Sequence, residues 1–198
     1  MLADSRGQRS QGHLASGDLG VWLAPASLER DEGWDCFVDR STDSGETWER
    51  SALVPLDREG LNGPGIIQPS LWQSEEGVHM MARSSEGCLY RSDSTDGGRT
   101  WSTARPSAVP NNNSGFDLVR LNSGRLILAC NPADEPWGPR TPLVLYSSRD
   151  NGEQWEIVCV LEEGPGEFSY PALALVQDGF AVSYTRHREE IGYCHFAE

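Results

Sequence analysis

The chain has 198 residues, enough for one sizeable domain, and its 37% hydrophobic and 23% charged residues are typical of a globular protein. Its net charge of −14 and its sixteen dispersed Lys and Arg residues argue against binding to nucleic acid or to an anionic membrane. The 21 glycines and 12 prolines, with few long apolar runs of helical period, predict an all-β fold with many turns.

The chain begins with a polar segment over residues 1–17, which we expect to be disordered, and residues 18–198 are predicted to form the folded domain. The first twenty residues lack the apolar core of a secretory signal, and no later stretch approaches a membrane span of roughly twenty apolar residues. As written, the chain is therefore expected to be cytoplasmic, an expectation that changes if further sequence lies upstream. The five cysteines are widely spaced without a C-x-x-C pair, so they are predicted to be small buried side chains.

One octapeptide occurs three times along the chain: STDSGETW at 41–48, STDGGRTW at 94–101 and SRDNGEQW at 148–155. The copies start 53 and 54 residues apart. A period near 50 is typical of propellers, in which each blade is a sheet of four short antiparallel strands. Strand-like segments (WDCFVDR, GCLYRSD, PLVLYS) precede all three copies, and two further segments (ERSALV, WEIVCVL) follow two of them. Each copy is therefore predicted to form a hairpin turn.

The residue types of the octapeptide suit such a turn. The aspartate, assisted by the serine, is placed to accept hydrogen bonds from turn N–H groups, and the glycine supplies a positive φ. The tryptophan is placed to turn back and cover the sheet. A repeated turn aspartate is expected to be structural, so none of the three is predicted to be catalytic. These residues are Ser41, Asp43, Gly45 and Trp48; Ser94, Asp96, Gly98 and Trp101; and Ser148, Asp150, Gly152 and Trp155.

Functional residues are expected in the loops that are not repeated, LNGPGIIQPSL, VPNNNSGFDLVRL, NPADEPWGPRTPL and GPGEFSYPAL. Each loop leads into an apolar strand, and loops on one face of a propeller converge near its axis, where a ligand pocket can form. The candidate positions in these loops are Gln68, Asn113, Asp117, Arg140, Glu167 and Tyr170.

The pattern S-x-D-x-G-x-T-W resembles the Asp-box, or bacterial neuraminidase repeat, of sialidases. Most of residues 18 to 195 is similar to the second half of a six-bladed bacterial sialidase-like propeller. The resemblance implies a partial propeller of about three to four four-stranded blades and Asp-boxes on the face opposite the active site. No cofactor is implied, and the four histidines lack metal-ligand spacing, so no metal site is predicted. Sialidases hold the substrate carboxylate with three arginines, and they use a tyrosine nucleophile, an assisting glutamate and an aspartate acid/base.

By this resemblance, Arg83 in MMARSS matches the second arginine, Arg140 in GPRTPL the third, and Tyr170 in FSYPAL the nucleophile. Gln68 in IIQPSL is nearest to the place of the assisting glutamate, but an amide cannot take a proton. Glu167 can substitute only if the turn before Tyr170 brings it alongside. No motif for the first arginine or for the acid/base aspartate precedes the first octapeptide. Asn113 and Asp117 remain candidates for substrate binding.

Each candidate also has a structural interpretation. Tyr170 can be an ordinary aromatic residue at a strand edge, and Arg83 can form a salt link between blades. The segment TRHREE at 185–190 is most simply a solvated hairpin turn, although Arg186 or Arg188 can still point inward.

The function predicted from these features is that of a sialidase-like glycoside hydrolase. It would be exo-acting on sialic acid or a related acidic sugar, in a chain that lacks the first arginine and the acid/base aspartate. The alternatives are a non-catalytic carbohydrate-binding propeller and an inactive remnant of a longer enzyme. The expected partner is an acidic sugar or glycan, and open blade edges are expected to favour self-association.

Overall fold

The computed structural model describes residues 7–9 and 20–198, and all regular structure in these ranges is β-strand. This confirms the predicted all-β fold. No helix in the described ranges is long and apolar enough to cross a membrane. The polar segment over residues 1–17, predicted to be disordered, lies outside the described residues except for 7–9, so that expectation stays a prediction.

The described chain divides into two compact units, one containing residues up to 86 with 90–106, the other containing 87–89 with 107–198. The first unit begins with a four-stranded sheet in the order β1-β2-β3-β4. Its strands are β1 (Gly7–Arg9), β2 (Trp22–Arg30), β3 (Gly33–Ser41) and β4 (Glu49–Arg50).

A second four-stranded sheet, mostly within the first unit, has the order β5-β6-β7-β8. Its strands are β5 (Ile66–Ser74), β6 (Gly77–Ser84), β7 (Cys88–Ser94) and β8 (Arg105–Pro110). Apolar residues of both sheets form one core cluster. Because successive strand residues point to opposite faces, a slip of one residue would expose these side chains, so the core fixes the strand register. The cluster includes Leu23, Val38, Ile66, Met80 and Trp101.

The second unit contains a four-stranded sheet in the order β12-β11-β10-β9 and a three-stranded sheet in the order β13-β14-β15. Its core cluster combines apolar residues of both sheets, among them Ile127, Leu145, Phe168 and Val182. The strands are β9 (Asp117–Arg120), β10 (Leu126–Cys130), β11 (Leu143–Ser148), β12 (Glu156–Glu162), β13 (Phe168–Val176), β14 (Gly179–Arg186) and β15 (Glu190–Ala197).

The three octapeptides form the predicted turns, between β3 and β4, β7 and β8, and β11 and β12. In each, the serine hydroxyl donates to the aspartate Oδ1 at 2.7 or 2.8 Å. The glycine N–H donates to the serine Oγ at 2.8 or 2.9 Å. The glycine φ angles are 90°, 79° and 85°, which lie in the left-handed region where glycine avoids a steric penalty. The repeat is therefore a folding device, as predicted.

The prediction that each tryptophan covers its sheet is wrong for the first octapeptide. Trp101 is 6% exposed and packs in the core cluster with Leu23 and Val38, whereas Trp48 is 44% exposed. The burial of Trp101 comes from residues of the preceding β1–β4 sheet, not only from its own hairpin. The octapeptide alone therefore fixes the turn but not the burial of its last residue.

All five cysteines are free thiols, and the prediction of small buried side chains is confirmed in full for two of them. Cys36 and Cys130 are fully buried, while Cys88, Cys159 and Cys194 are partly buried. Burial raises the pKa of the Cys130 thiol well above its ordinary value, so this side chain behaves as a small apolar group.

Candidate functional site

Tyr170 lies in a bulge of β13. The pairing of β13 with β14 shifts by one residue between Ser169 and Ala172, so one extra residue is accommodated there. Tyr170 has a φ of 51°, an unusual left-handed conformation for a bulky aromatic residue, and it is 54% exposed. Gly115 lies against the ring, because a Cβ at that position would be 2.9 Å from Cδ1 of Tyr170. The bulge and the glycine together present the phenol to solvent.

Arg140 reaches the same tyrosine from the loop between β10 and β11. The Asn112 side chain holds this loop by donating to two of its carbonyl oxygens, at 2.9 and 2.7 Å. The Arg140 carbonyl in turn accepts a hydrogen bond from the N–H of Phe168 at 2.9 Å. The guanidinium carbon of Arg140 lies 5.0 Å from the centre of the Tyr170 ring, a cation–π contact. Backbone contacts thus place one positive charge beside the phenol.

Glu167 connects Arg140 to a second arginine. Its Oε1 accepts hydrogen bonds from Arg140 Nη1 and from Ser169 Oγ, both at 3.1 Å. Its Oε2 accepts a hydrogen bond from Arg188 Nε at 2.9 Å. Arg140, Glu167, Ser169, Tyr170 and Arg188 therefore form one contiguous group, which we call the Tyr170 cluster.

The electrostatics of the cluster keep the glutamate ionised. The hydrogen bond from Arg188 lowers the pKa of Glu167 below its ordinary value, and Ser169 and the charge of Arg140 act in the same direction. Glu167 in turn raises the pKa of Arg188, through the same hydrogen bond and through its negative charge. A carboxylate with a lowered pKa is a weak base, so this environment suits Glu167 to holding the two arginines rather than to taking a proton.

Arg188 lies in the hairpin turn between β14 and β15. His187 and Arg188 have φ values of 55° and 59°, and the N–H of Glu189 donates to the carbonyl of Arg186 at 3.1 Å. Two consecutive left-handed residues characterise a type I′ turn, which usually contains Asn or Gly. The N–H of His187 also donates to the carbonyl of Glu167 at 2.7 Å, which ties the turn to the start of β13. The turn that the sequence predicted is present, and it directs Arg188 towards Glu167.

Gln68 and Arg83 form a pair in the first unit. β5 has the same kind of bulge as β13, because its pairing with β6 shifts by one residue between Ile67 and Ser70. Gln68 has a φ of 50° and precedes Pro69, just as Tyr170 precedes Pro171. Arg83 is buried, and its Nη1 donates to Gln68 Oε1 at 2.9 Å. The amide oxygen thus interacts with a positive charge, and an amide cannot act as a proton acceptor in catalysis.

Asn113 and Asp117 are both buried in the second unit. The two carboxylate oxygens of Asp117 accept backbone hydrogen bonds from Leu118 and Leu173, each at 2.8 Å, so Asp117 links β9 to β13. Asn113 has a φ of 59°, and neither polar atom of its side chain has a hydrogen-bond partner among the described residues. Asp117 therefore has a structural role, while Asn113 retains free hydrogen-bonding capacity. Substrate binding by either residue stays a prediction.

The sequence-predicted residues therefore fall into separate groups. Arg140, Glu167 and Tyr170 come together in the second unit, and Gln68 pairs with Arg83 in the first. The sequence left open whether Arg186 or Arg188 points inward. The position of Arg188 beside Glu167 depends on the pairing of Phe168 with Arg186 at the start of β13, which the sequence does not specify. Among residues 20–198, no cluster of three or more His, Cys, Asp or Glu side chains is arranged to hold a metal ion.

Comparison with protein families gives a match over residues 11–182 to the model described as a BNR repeat-like domain. The chain belongs to this family. The matched residues include all three octapeptides, at 41–48, 94–101 and 148–155. Comparison with curated protein sequences finds no significant match.

Solved structures show the fold of this BNR repeat protein. A Dyadobacter fermentans protein of unknown function matches with a TM-score of 0.69 and 20% identity, over 88% of this chain and 48% of its own. Trypanosoma rangeli sialidase in complex with sialic acid matches with a TM-score of 0.63 and 16% identity, over 89% of this chain and 29% of the sialidase. The Ruminococcus gnavus intramolecular trans-sialidase matches with a TM-score of 0.64 and 17% identity, over 93% of this chain and 40% of the trans-sialidase.

These matches confirm the sialidase-like β-propeller fold that the sequence predicted. The chain spans less than half the length of each of the three structures. It therefore corresponds to part of a propeller. Identities of 20% or less establish the shared fold, and the activity of this chain is a separate question.

Proposed function

We propose that this chain carries the carboxylate-binding and nucleophilic side of a sialidase-like glycosidase site, acting on sialic acid or a related acidic sugar. The observation that carries the proposal is the Tyr170 cluster, in which an exposed phenol lies beside the guanidinium group of Arg140. The sialidase fold and the sialic acid bound to the matched Trypanosoma rangeli enzyme support the choice of substrate.

Binding of the substrate is assigned first to Arg140. Its planar guanidinium group can bind a carboxylate through two parallel hydrogen bonds. Its contact with Glu167 holds the group in one orientation before a ligand arrives, which reduces the entropic cost of binding. Arg83, buried beside Gln68, is the corresponding candidate in the first unit.

Tyr170 is assigned the role of nucleophile. In the proposed step, the phenol oxygen forms a bond to the anomeric carbon, the glycosidic C–O bond breaks, and the phenol proton passes through water to the departing oxygen, which leaves as an alcohol. Water then hydrolyses the bond between tyrosine and sugar, which releases the sugar and restores the phenol. A neutral phenol suits this reaction because an anionic nucleophile would be repelled by the sugar carboxylate. Glu167 is a poor acceptor for the phenol proton, because its pKa is lowered and it has two arginine partners.

The test compares the purified chain with its Tyr170→Phe variant. With an aryl sialoside as substrate, we expect slow hydrolysis by the chain and at least a 100-fold loss on removal of the nucleophilic hydroxyl, since such groups contribute about 10²-fold or more. Sialic acid affinity, measured by calorimetry, should change little in the variant because the arginines remain. Hydrolysis that survives the substitution would exclude the tyrosine mechanism.

A second candidate function is carbohydrate binding without turnover. The observation that favours it is Gln68, which lies in the same kind of bulge as Tyr170. By the resemblance, Gln68 is nearest to the place of the assisting glutamate, and its amide cannot accept a proton as that glutamate would. In this case the chain binds sialic acid, Arg140→Gln weakens binding, and no aryl sialoside is hydrolysed. Failure to bind any acidic sugar would contradict both candidates.

A further inference from the structure

The third Asp-box differs from the other two at one position that affects its aspartate. In the first two boxes a threonine hydroxyl donates to the aspartate Oδ2, Thr47 to Asp43 at 2.5 Å and Thr100 to Asp96 at 2.6 Å. The third box has Gln154 at this position. The Gln154 backbone N–H still donates to Asp150 Oδ1 at 2.9 Å, so the turn is preserved. Oδ2 of Asp150 lacks the hydroxyl donor that its counterparts have.

A surface cavity of about 310 Å³ lies at this third box. This volume is at the lower end of the range for small-molecule sites, which begins near 300 Å³, and it suits a single small ring. The cavity is lined by Ser147, Arg149, Asp150, Gln154, Trp155 and Glu156.

The side chains around the cavity are of the types that recognise sugars. The Trp155 ring is fixed because its Nε1 donates to the carbonyl of Gly152 at 3.0 Å, and an aromatic face can pack against the C–H face of a pyranose. Asp150 and Glu156 supply acceptors for hydroxyl groups, while Arg149 and Gln154 supply donors. The lining has one positive and two negative charges, so it disfavours a carboxylate and favours an uncharged ligand.

The cavity is separate from the Tyr170 cluster. Arg140 lies three residues before β11, and the third box begins at Ser148, the last residue of β11. A strand of six residues spans roughly 17 Å, since the rise is about 3.3 Å per residue. Ligands at the two places would therefore occupy opposite ends of β11.

From the cavity, the fixed tryptophan and the released carboxylate oxygen, we propose that the third Asp-box forms a binding site for a neutral pyranose sugar. The sugar packs on Trp155, and two neighbouring hydroxyl groups donate to Asp150 Oδ2 and Glu156. The first two boxes lack this site because a threonine hydroxyl already occupies the corresponding oxygen. This site does not depend on the proposed glycosidase function, because its residues and ligand are different.

The test uses calorimetry and saturation-transfer NMR with methyl β-galactopyranoside, methyl α-glucopyranoside and methyl α-mannopyranoside. We expect the chain to bind at least one of them with a dissociation constant on the order of 1 mM, as is typical of weak binding to a small shallow site. Trp155→Ala should weaken binding at least tenfold. Gln154→Thr restores the hydroxyl of the other boxes and should weaken binding several-fold while preserving the melting temperature.

Trp48→Ala is the matched control, because it removes an exposed box tryptophan beside an aspartate that already has its threonine donor. This variant, and Tyr170→Phe in the other cluster, should bind the sugar as the unmodified chain does. The proposal is overturned if none of the three sugars binds at up to about 50 mM. It is also overturned if binding persists unchanged in both Gln154→Thr and Trp155→Ala.

Discussion

Glu167 organises the Tyr170 cluster by bringing together two arginines from different loops. Arg140 comes from the loop before β11, and Arg188 comes from the β14–β15 turn. Without the carboxylate, the like charges of the two guanidinium groups would repel each other. A substrate carboxylate that enters beside Glu167 would therefore meet donors that are already oriented. At the residue scale, the cluster is better suited to binding an anion than to transferring a proton through Glu167.

Arg188→Gln tests whether this second arginine contributes to carboxylate binding. Loss of a charge-assisted hydrogen bond costs about 1.5–3 kcal/mol, so we expect the affinity for sialic acid to fall at least tenfold in calorimetry. Affinity for the sialic acid methyl ester should not change, because the ester has no charge for Arg188 to bind.

Arg186→Gln is the matched control, with the same loss of charge in the same hairpin. Arg186 pairs with Glu162 and Glu190, at 3.2 and 3.3 Å, rather than with Glu167. The control should bind sialic acid like the unmodified chain. Equal losses in both variants would show that Arg188 acts only through net charge.

At the scale of the element, hydrogen bonds within the Asp-box hairpin lower the pKa of its aspartate and so stabilise the turn. In the first box, the hydrogen bond from the Thr47 hydroxyl, together with those from the Thr47 N–H and the Ser41 hydroxyl, lowers the pKa of Asp43 from 3.8 to about 2. In the second, partial burial opposes the shift, but hydrogen bonds from Thr100 and Ser94 still lower the pKa of Asp96. The turn is therefore stabilised by an ionised aspartate.

Thr47→Val removes the largest contribution to the shift at Asp43, so its pKa should rise towards 3.8 in a carbon-detected NMR titration. A lowered pKa in the folded state stabilises the protein above the unfolded value and loses that effect as the pH falls through the folded value. The unmodified chain should therefore lose more stability than the variant between about pH 4 and pH 2, measured by thermal melting at each pH. A pKa that remains near 2 in the variant would contradict this assignment of the hydroxyl.

The local elements could be predicted from the sequence, whereas the contacts between them could not. The octapeptides specify their turns through side chains within eight residues, so the turns and the strands beside them were predictable. Arg188 meets Glu167 only because of the register between β13 and β14. Asn112 supports the Arg140 loop from 26 residues away along the chain. Such contacts leave no periodic pattern in a single sequence.

At the scale of the whole molecule, β15 is a sheet edge that combines a regular hydrogen-bonded ladder with exposed apolar residues. It pairs with β14 through eight residues without irregularity, and Ile191 and Tyr193 are 73% and 66% exposed. The last strand of each of the other three sheets has a feature that hinders further pairing: β4 has two residues, β8 contains two prolines, and β12 has two register shifts. A regular apolar edge promotes pairing with another chain.

We therefore expect concentration-dependent self-association in sedimentation velocity. The net charge of −14 opposes it, so association should strengthen as salt screens the repulsion. Ile191→Lys combined with Tyr193→Lys should restore the monomer, because lysines on an edge strand disfavour pairing. Val158→Lys, at an exposed apolar residue of β12, is the control and should associate as before. A monomer at all concentrations and salt conditions would contradict the prediction.

The two bulges with a left-handed residue before proline, at Gln68 and Tyr170, have a consequence for how the protein can evolve. The same backbone conformation occurs twice in the chain, once at a residue with an amide side chain and once at a residue with a phenol. A reactive group can therefore be gained or lost at either bulge by changing one side chain, while the strands around it remain as they are. A single-nucleotide change that converts the Gln68 codon to one for glutamate would introduce an acidic group there without any new architecture.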